Sequence, residues 1–456
     1  MTNLIREWVR VKRENVFQSM MKNSAWAAIG QIVLAGTSFL ETIILARYLA
    51  LTDFGVLVTV TAAAELIYGL LDFRSGEAVI KFIPEIRSLK GNRGACAFLK
   101  IILLLDAVVA VCGLGITVIL GAVILKWSGL QEAYFASLLI ISFGLAVRCT
   151  VRSCGSYFRI CGRFNQATII GSSVMLCRLA LMVIAAKLSP TVSGFSWASA
   201  WANILFTIAV GTAFLVIGRD DGLRWVRSPI RLIDNMWRPL AGFLVSTNIA
   251  GTLKVLSTKL DTLLIAGLTS PEMVAIYRVA ARISGSVIVL SDPLLVAIYP
   301  ELSHLQASGR MGQLRRLILP LSLGLGACSA LLVSGFVIGG RWILGAVAGP
   351  QYGSAYPVVL IMFIGSVVSM TFFWVRPLLL LRGHAHTLVW IYAVGLFVQL
   401  GALYLLVPFM GAAGGGLALT LSCSVNVVLS LWVTAKSARM NTARNVISPL
   451  TRYVED

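Results

Sequence analysis

Long uninterrupted apolar runs constrain this chain more than any other feature. A helix needs about 20 apolar residues to cross a hydrocarbon core, and runs of that length recur from one end of the sequence to the other. Twelve are predicted, at 24–48, 54–74, 98–125, 133–158, 166–187, 195–217, 240–268, 273–298, 315–339, 356–381, 387–407 and 412–435. Backbone polar groups in a bilayer must be satisfied within the segment, so each run is read as a helix. Hydrophobic residues make up 58% of the chain and charged ones only 12%, with a mean hydropathy of +0.88. That composition excludes an ordinary soluble domain. The expected fold is an all-α polytopic membrane protein with about twelve transmembrane helices.

A formal net charge of +19 would suit nucleic acid, but its placement argues against that partner. Basic residues crowd alternate loops. One set holds Arg6, Arg10, Lys12, Arg13 and Lys22, then Arg87, Lys90 and Arg93, then Arg159 and Arg163. It continues through Arg219, Arg224, Arg227, Arg231 and Arg238, then Arg310, Arg315 and Arg316, then Arg376 and Arg382, and ends with Lys436, Arg439 and Arg444. The other set has little beyond Arg47, Lys126, Lys187 and Arg341. This is the positive-inside bias, and it predicts both termini in the cytoplasm. The basic loops also suit the anionic lipids of the inner leaflet.

The first run is a full span after a charged segment, so it is read as an uncleaved first helix. Residues 1–23 form a cytoplasmic segment, either an amphipathic surface helix carrying Trp8, Val9 and Phe17 or a frayed tail. The eight cysteines fall mostly within spans and show no CxxC or Cys/His ligand spacing, so neither disulfides nor a metal site nor a cofactor is expected. His384 and His386 read as a solvated pair.

The two halves echo each other. Ala46 and Ala266, Pro84-Glu85 and Pro300-Glu301, Tyr134 and Tyr352, Arg159 and Arg376, and Pro190 and Pro408 recur in order about 220 residues apart. Six spans return a chain to its starting side, so the repeats are parallel. They predict two six-helix lobes around a central cavity, with the substrate path at their interface. The predicted lobes are 24–218 and 240–436, joined by a polar linker at 219–239 and followed by a cytoplasmic tail at 437–456. From Phe54 to Pro84 a straight helix would be about 46 Å long, against a core of about 30 Å. Its end must project into the cytosol or bend near Gly76.

Charges inside spans are costly and default to a functional reading. Glu65 and Asp72 are seven apart on one expected helical face, and Glu41 lies deep in the first span. Lys254 and Asp261 share a face of the seventh span, with Lys259 pointing elsewhere. Arg278 and Arg282 share a face of the eighth, and Arg178 is midway along the fifth. Guanidinium groups suit phosphate oxygens, because their planar fork donates paired hydrogen bonds. Arg282, Arg278, Lys259, Lys254 and Arg178 are therefore the candidate substrate-binding residues. The structural alternative pairs Arg278 and Arg282 with Glu41, Glu65 or Asp261. Those three acids are also candidates for ion coupling, since a desolvated carboxylate holds a proton readily. Glu77 and Lys81 read as a surface ion pair, and the small residues from Gly411 to Gly416 as a close helix contact.

Several segments resemble a known family. Ala46-Arg47-Tyr48-Leu49 followed by Asp53-Phe54-Gly55 is similar to the outer turn after helix one of polysaccharide flippases, in the multidrug/oligosaccharidyl-lipid/polysaccharide exporter superfamily. Gly349-Pro350-Gln351-Tyr352 with Ala355 and Leu360 resembles the family's approach to helix ten. Gly411-Ala412-Ala413-Gly414 with Leu417-Ala418 resembles its start of helix twelve. Where members often carry Gly-Pro in the first turn, this chain has Ala50-Leu51. The resemblance implies a cationic cavity, alternating access, and passage of an undecaprenyl-diphosphate-linked oligosaccharide across the bacterial inner membrane for O-antigen or exopolysaccharide assembly. Implied partners are that lipid-linked oligosaccharide and membrane lipids, with a polysaccharide polymerase and a chain-length regulator as further candidates.

Two other transporter readings exist. A cation-coupled multidrug or small-solute exporter would use an essential acid, but the basic groups at depth disfavour a cationic cargo. A major-facilitator carrier would place an Asp-Arg-x-Gly-Arg-like loop where this chain has Pro84-Glu85-Ile86-Arg87-Ser88-Leu89-Lys90-Gly91. A polymerase or ligase would need a large outer catalytic loop, and no segment provides one, so an enzyme is not expected.

Overall fold

The computed structural model describes residues 25–26, 28–222, 229, 237–289, 298, 302 and 311–447. Among these the regular structure is helical throughout. The helices are α1 (Ala28–Tyr48), α2 (Leu51–Leu70), α3 (Ser75–Trp127), α4 (Phe135–Arg148), α5 (Val151–Ile160), α6 (Phe164–Leu188) and α7 (Val192–Asp220). They continue as α8 (Trp237–Leu268), α9 (Pro271–Val289), α10 (Met311–Val347), α11 (Ala355–Thr371), α12 (Val375–Leu381), α13 (Ala385–Met410) and α14 (Ala412–Ile447). Eight described helices are long and apolar enough to cross a membrane, and the bent pair α11 and α12 makes a ninth. Outward-facing side chains are apolar as well: Ile338 is 90% and Phe409 88% exposed. A surface of that kind is stable against lipid and not against water. The chain is an all-α multi-pass membrane protein.

The repeat read from scattered residue pairs is carried by whole elements. In the first half a 3-10 turn at Glu132–Tyr134 leads into α4, and a break separates α4 from α5. In the second half a 3-10 turn at Pro350–Tyr352 leads into α11, and a break separates α11 from α12. The flanking helices also correspond in order, α6 and α7 with α13 and α14, and α1 and α2 with α8 and α9.

By compactness the chain divides at Met1–Ala275 and Ile276–Asp456. The first unit extends past the polar linker because α8 packs along α2. Gly69 makes this contact close: a Cβ there would meet Val255 Cγ1 at 2.5 Å. One end of this unit is a dense apolar core in which Phe82 packs on Phe98 and Phe243, with ring centroids 5.8 and 5.5 Å apart. At the end of α7 the Asp221 carboxylate accepts from Tyr157 Oη at 2.8 Å and Cys161 Sγ at 2.9 Å. Burial pushes the Asp221 carboxyl upward, but these donors and the charges of Arg87 and Arg163 outweigh it and hold it below the usual carboxylate range. In the second unit α14 packs against α11 and α13. There Gly414 would drive a Cβ to 2.5 Å from the Leu406 carbonyl oxygen, so the small-residue run does permit a close turn.

The long second run does not continue as one straight helix. α2 ends at Leu70, and the chain breaks over 71–74 before α3 starts at Ser75. The bend expected near Gly76 lies two residues earlier at Arg74, whose φ of 53° is left-handed. Asp72 holds it: its Oδ1 accepts from the Arg74 backbone N–H at 3.0 Å, a local side-chain turn that competes with helix. α3 then reverses at Gly91, with φ 64°, so its arms 75–90 and 92–127 run back along each other. Glu65 and Asp72 consequently do not share a helical face. Glu77 pairs with Arg74 at 2.8 Å instead of Lys81, whose ammonium lies 4.3 Å from the Phe243 ring centroid.

Candidate functional site

Within the first unit the intramembrane charges gather into one column. Glu41 on α1 meets Arg178 on α6 through two parallel bonds, Arg178 Nε to Oε2 at 3.1 Å and Nη2 to Oε1 at 2.7 Å. This fork-to-fork geometry is the strongest form of the contact. Glu65 on α2 forms an ion pair with Lys259 on α8. Asp72 in the break forms one with Arg152 on α5. Each pair joins helices distant in sequence, and each neutralises charge that hydrocarbon would otherwise penalise heavily.

Two charges in the column are differently placed. Arg148, the last residue of α4, reaches the Asn203 amide oxygen at 3.5 Å and lies 5.2 Å from the Phe206 ring centroid. Among the described residues no carboxylate is within ion-pair distance of it. Arg178 and Glu65 are its electrostatic neighbours. Asp106 on the second arm of α3 is 5% exposed and accepts from Ser153 Oγ at 2.6 Å. Ser153 Oγ in turn lies 2.9 Å from Ser75 Oγ. Among the described residues no cation pairs with Asp106. Glu65, Asp72, Asp106, Arg148 and Arg152 all line a single cavity of about 470 Å³ in this unit, closed on its apolar side by Phe73, Leu105, Phe206 and Val255.

Of the residues expected from sequence, Glu41, Glu65, Arg178 and Lys259 are thus brought together in pairs, each candidate coupling acid with a candidate phosphate ligand. Asp261 is buried on α8, and its Oδ1 accepts from the Thr262 N–H at 2.5 Å and hydroxyl at 3.1 Å. Arg278 and Arg282 lie on α9 within the second compact unit, partly buried. The side chain of Lys254 lies outside the described residues. Asp106, Arg148 and Arg152 were not among the expected residues. The signal that would have found them is the same one: each is an ion inside the apolar runs 98–125 and 133–158.

Sequence comparison settles the family. Residues 20–306 match the family described as polysaccharide biosynthesis protein. The chain belongs to that family. No curated protein matches by sequence. Several solved structures share the fold at low identity. A multidrug resistance MATE family transporter of the MOP superfamily, inward-facing, aligns at a TM-score of 0.71 and 13% identity, over 90% of this chain and 96% of that one. The lipid II flippase MurJ, in an inward closed conformation, aligns at 0.71 and 10% identity, over 96% and 93%. A MOP superfamily transporter from Pyrococcus furiosus, described as having a binding pocket of reversed polarity, aligns at 0.61 and 14%, over 93% and 96%. The fold is therefore the twelve-helix, two-lobe fold of that superfamily.

Proposed function

We propose that this chain is a flippase, not an enzyme. It moves an undecaprenyl-diphosphate-linked oligosaccharide from the inner to the outer leaflet of the bacterial cytoplasmic membrane for O-antigen or exopolysaccharide assembly, by alternating access. Both termini are cytoplasmic in this reading, and the lobes are 24–218 and 240–436. The observation that carries it is the ion column inside the apolar helices of a polysaccharide biosynthesis family member. A protein with a purely structural role has no use for eight charges at that depth, and a carrier of a charged head group does. The lipid II flippase lends support by sharing the fold and by being named for moving a lipid-linked cargo.

In the proposed mechanism guanidinium and ammonium groups hold the diphosphate while the lipid tail stays in the bilayer. Arg282, Arg278 and Lys259 are the proposed diphosphate ligands, with Lys254 and Arg178 as further candidates. Opening of the Glu41–Arg178 and Glu65–Lys259 pairs is the proposed step that frees those acids, which with Asp261 are the proposed ion-coupling groups. Arg282→Ala in the producing cell should abolish surface polysaccharide while the protein stays at its normal level in the membrane. Normal export by both Arg282→Ala and Arg278→Ala would remove the diphosphate role from α9. The multidrug transporter of equal TM-score keeps one alternative, a cation-coupled multidrug or small-solute exporter. It predicts that a deletion strain loses resistance to cationic compounds and keeps its surface polysaccharide unchanged. A polymerase and a chain-length regulator remain proposed partners.

A further inference from the structure

Charge balance in the column singles out one residue. Glu41, Glu65 and Asp72 are each neutralised by a base at contact distance, so taking a proton would mean breaking an ion pair. Asp106 has no such partner among the described residues. Its carboxylate is held by Ser153 Oγ, with Ser75 behind it. A hydroxyl donates to a carboxylate and equally accepts from a carboxylic acid, so this cradle serves both protonation states. The acid lines the cavity, which gives a proton a route in and out.

The other groups around it are consistent with exchange. From α4 and α5 come Arg148, Arg152 and the Cys149 and Cys154 thiols. From α2 come Glu65 and Tyr68, and from the break Asp72, while Phe206 of α7 and Val255 of α8 bring no charge. With Asp106 ionised, four acids balance four bases, and Arg148, on the same cavity, has Glu65 as an opposite charge. With Asp106 neutral, the column carries one excess positive charge. Both serine partners also flank the bend: Ser75 follows Arg74, and Ser153 follows the Arg152 that pairs with Asp72.

We propose that Asp106 is a proton-exchange site of the first unit, cradled by Ser75 and Ser153 on the cavity it shares with Arg148 and Arg152. The site stands on its own geometry. Its use in coupling rests on the transporter reading above.

The test is a pH-difference infrared spectrum of the purified full-length protein in lipid nanodiscs, which needs no substrate. A protonated-carboxyl band that titrates in the wild type should vanish in Asp106→Asn. Ser153→Ala, which keeps the acid and removes a donor to its charged form, should raise its proton affinity about tenfold. A wild type with no titrating band, a band that persists in Asp106→Asn, or a midpoint unmoved in Ser153→Ala would overturn the assignment. Flipping in vesicles is scored separately. If wild-type protein moves no lipid-linked oligosaccharide while the band behaves as stated, the flippase reading fails and the proton site stands.

Discussion

The two repeats share a scaffold and differ in chemistry. Each begins with a helix pair, continues through a long helix, enters its fourth span by a 3-10 turn at a tyrosine, breaks that span, and closes with two long helices. Even close contacts recur. A Cβ on Gly144 of α4 would meet Ala200 Cα of α7 at 2.8 Å, and one on Gly365 of α11 would meet Thr420 Cα of α14 at 3.1 Å. Yet the first repeat fills its helices with Asp106, Arg148, Arg152 and Arg178, while the buried polar groups of α11, α13 and α14 include Ser366, Gln399 and Ser422. Glu41 and Asp261 occupy matching places in the repeats. One meets a guanidinium and the other a neighbouring threonine. The shared scaffold thus forms with different polar partners in its two repeats, and this difference is why the ion column of the first unit is proposed to be functional.

Breaking a pair should have the largest effect. Arg178→Met leaves Glu41 without a base in a low-dielectric setting and should cost about 3–5 kcal/mol of stability. The double variant Glu41→Gln with Arg178→Met should recover most of it. Thermal unfolding in detergent measures both, and equal losses in the single and double variants would mean that the pair is not the source. Adding a methyl at the shared contact should cost less. Gly144→Ala and Gly365→Ala should each destabilise by about 1–3 kcal/mol, with Gly144 the more sensitive because its approach is tighter. The reverse order would show that the first repeat yields more easily than its geometry implies.

Much of this was legible in the sequence, for a physical reason. Span-length apolar runs and the basic bias of alternate loops are imposed by the bilayer itself, so they survive without knowledge of any contact. Depth alone also marked Glu41, Glu65, Arg178 and Lys259. Their partners were not legible, because each pair joins helices far apart in the chain. A bend was expected near Gly76, and it lies two residues earlier at Arg74, in a break that holds no glycine or proline. Its cause is the Asp72 side chain capping the Arg74 N–H, and Gly76 is small instead because Arg152 and Ser156 pack onto it. Arg148 and Arg152 lie toward the basic end of their run, where they pass for loop charge.

The most direct test of the central claim is transbilayer movement of a labelled undecaprenyl-diphosphate oligosaccharide in vesicles holding the purified protein, with a cationic dye as the competing cargo. The account predicts movement of the diphosphate lipid, loss of that movement in Arg282→Ala, and no transport of the dye. Transport of the dye with no movement of the lipid would contradict it.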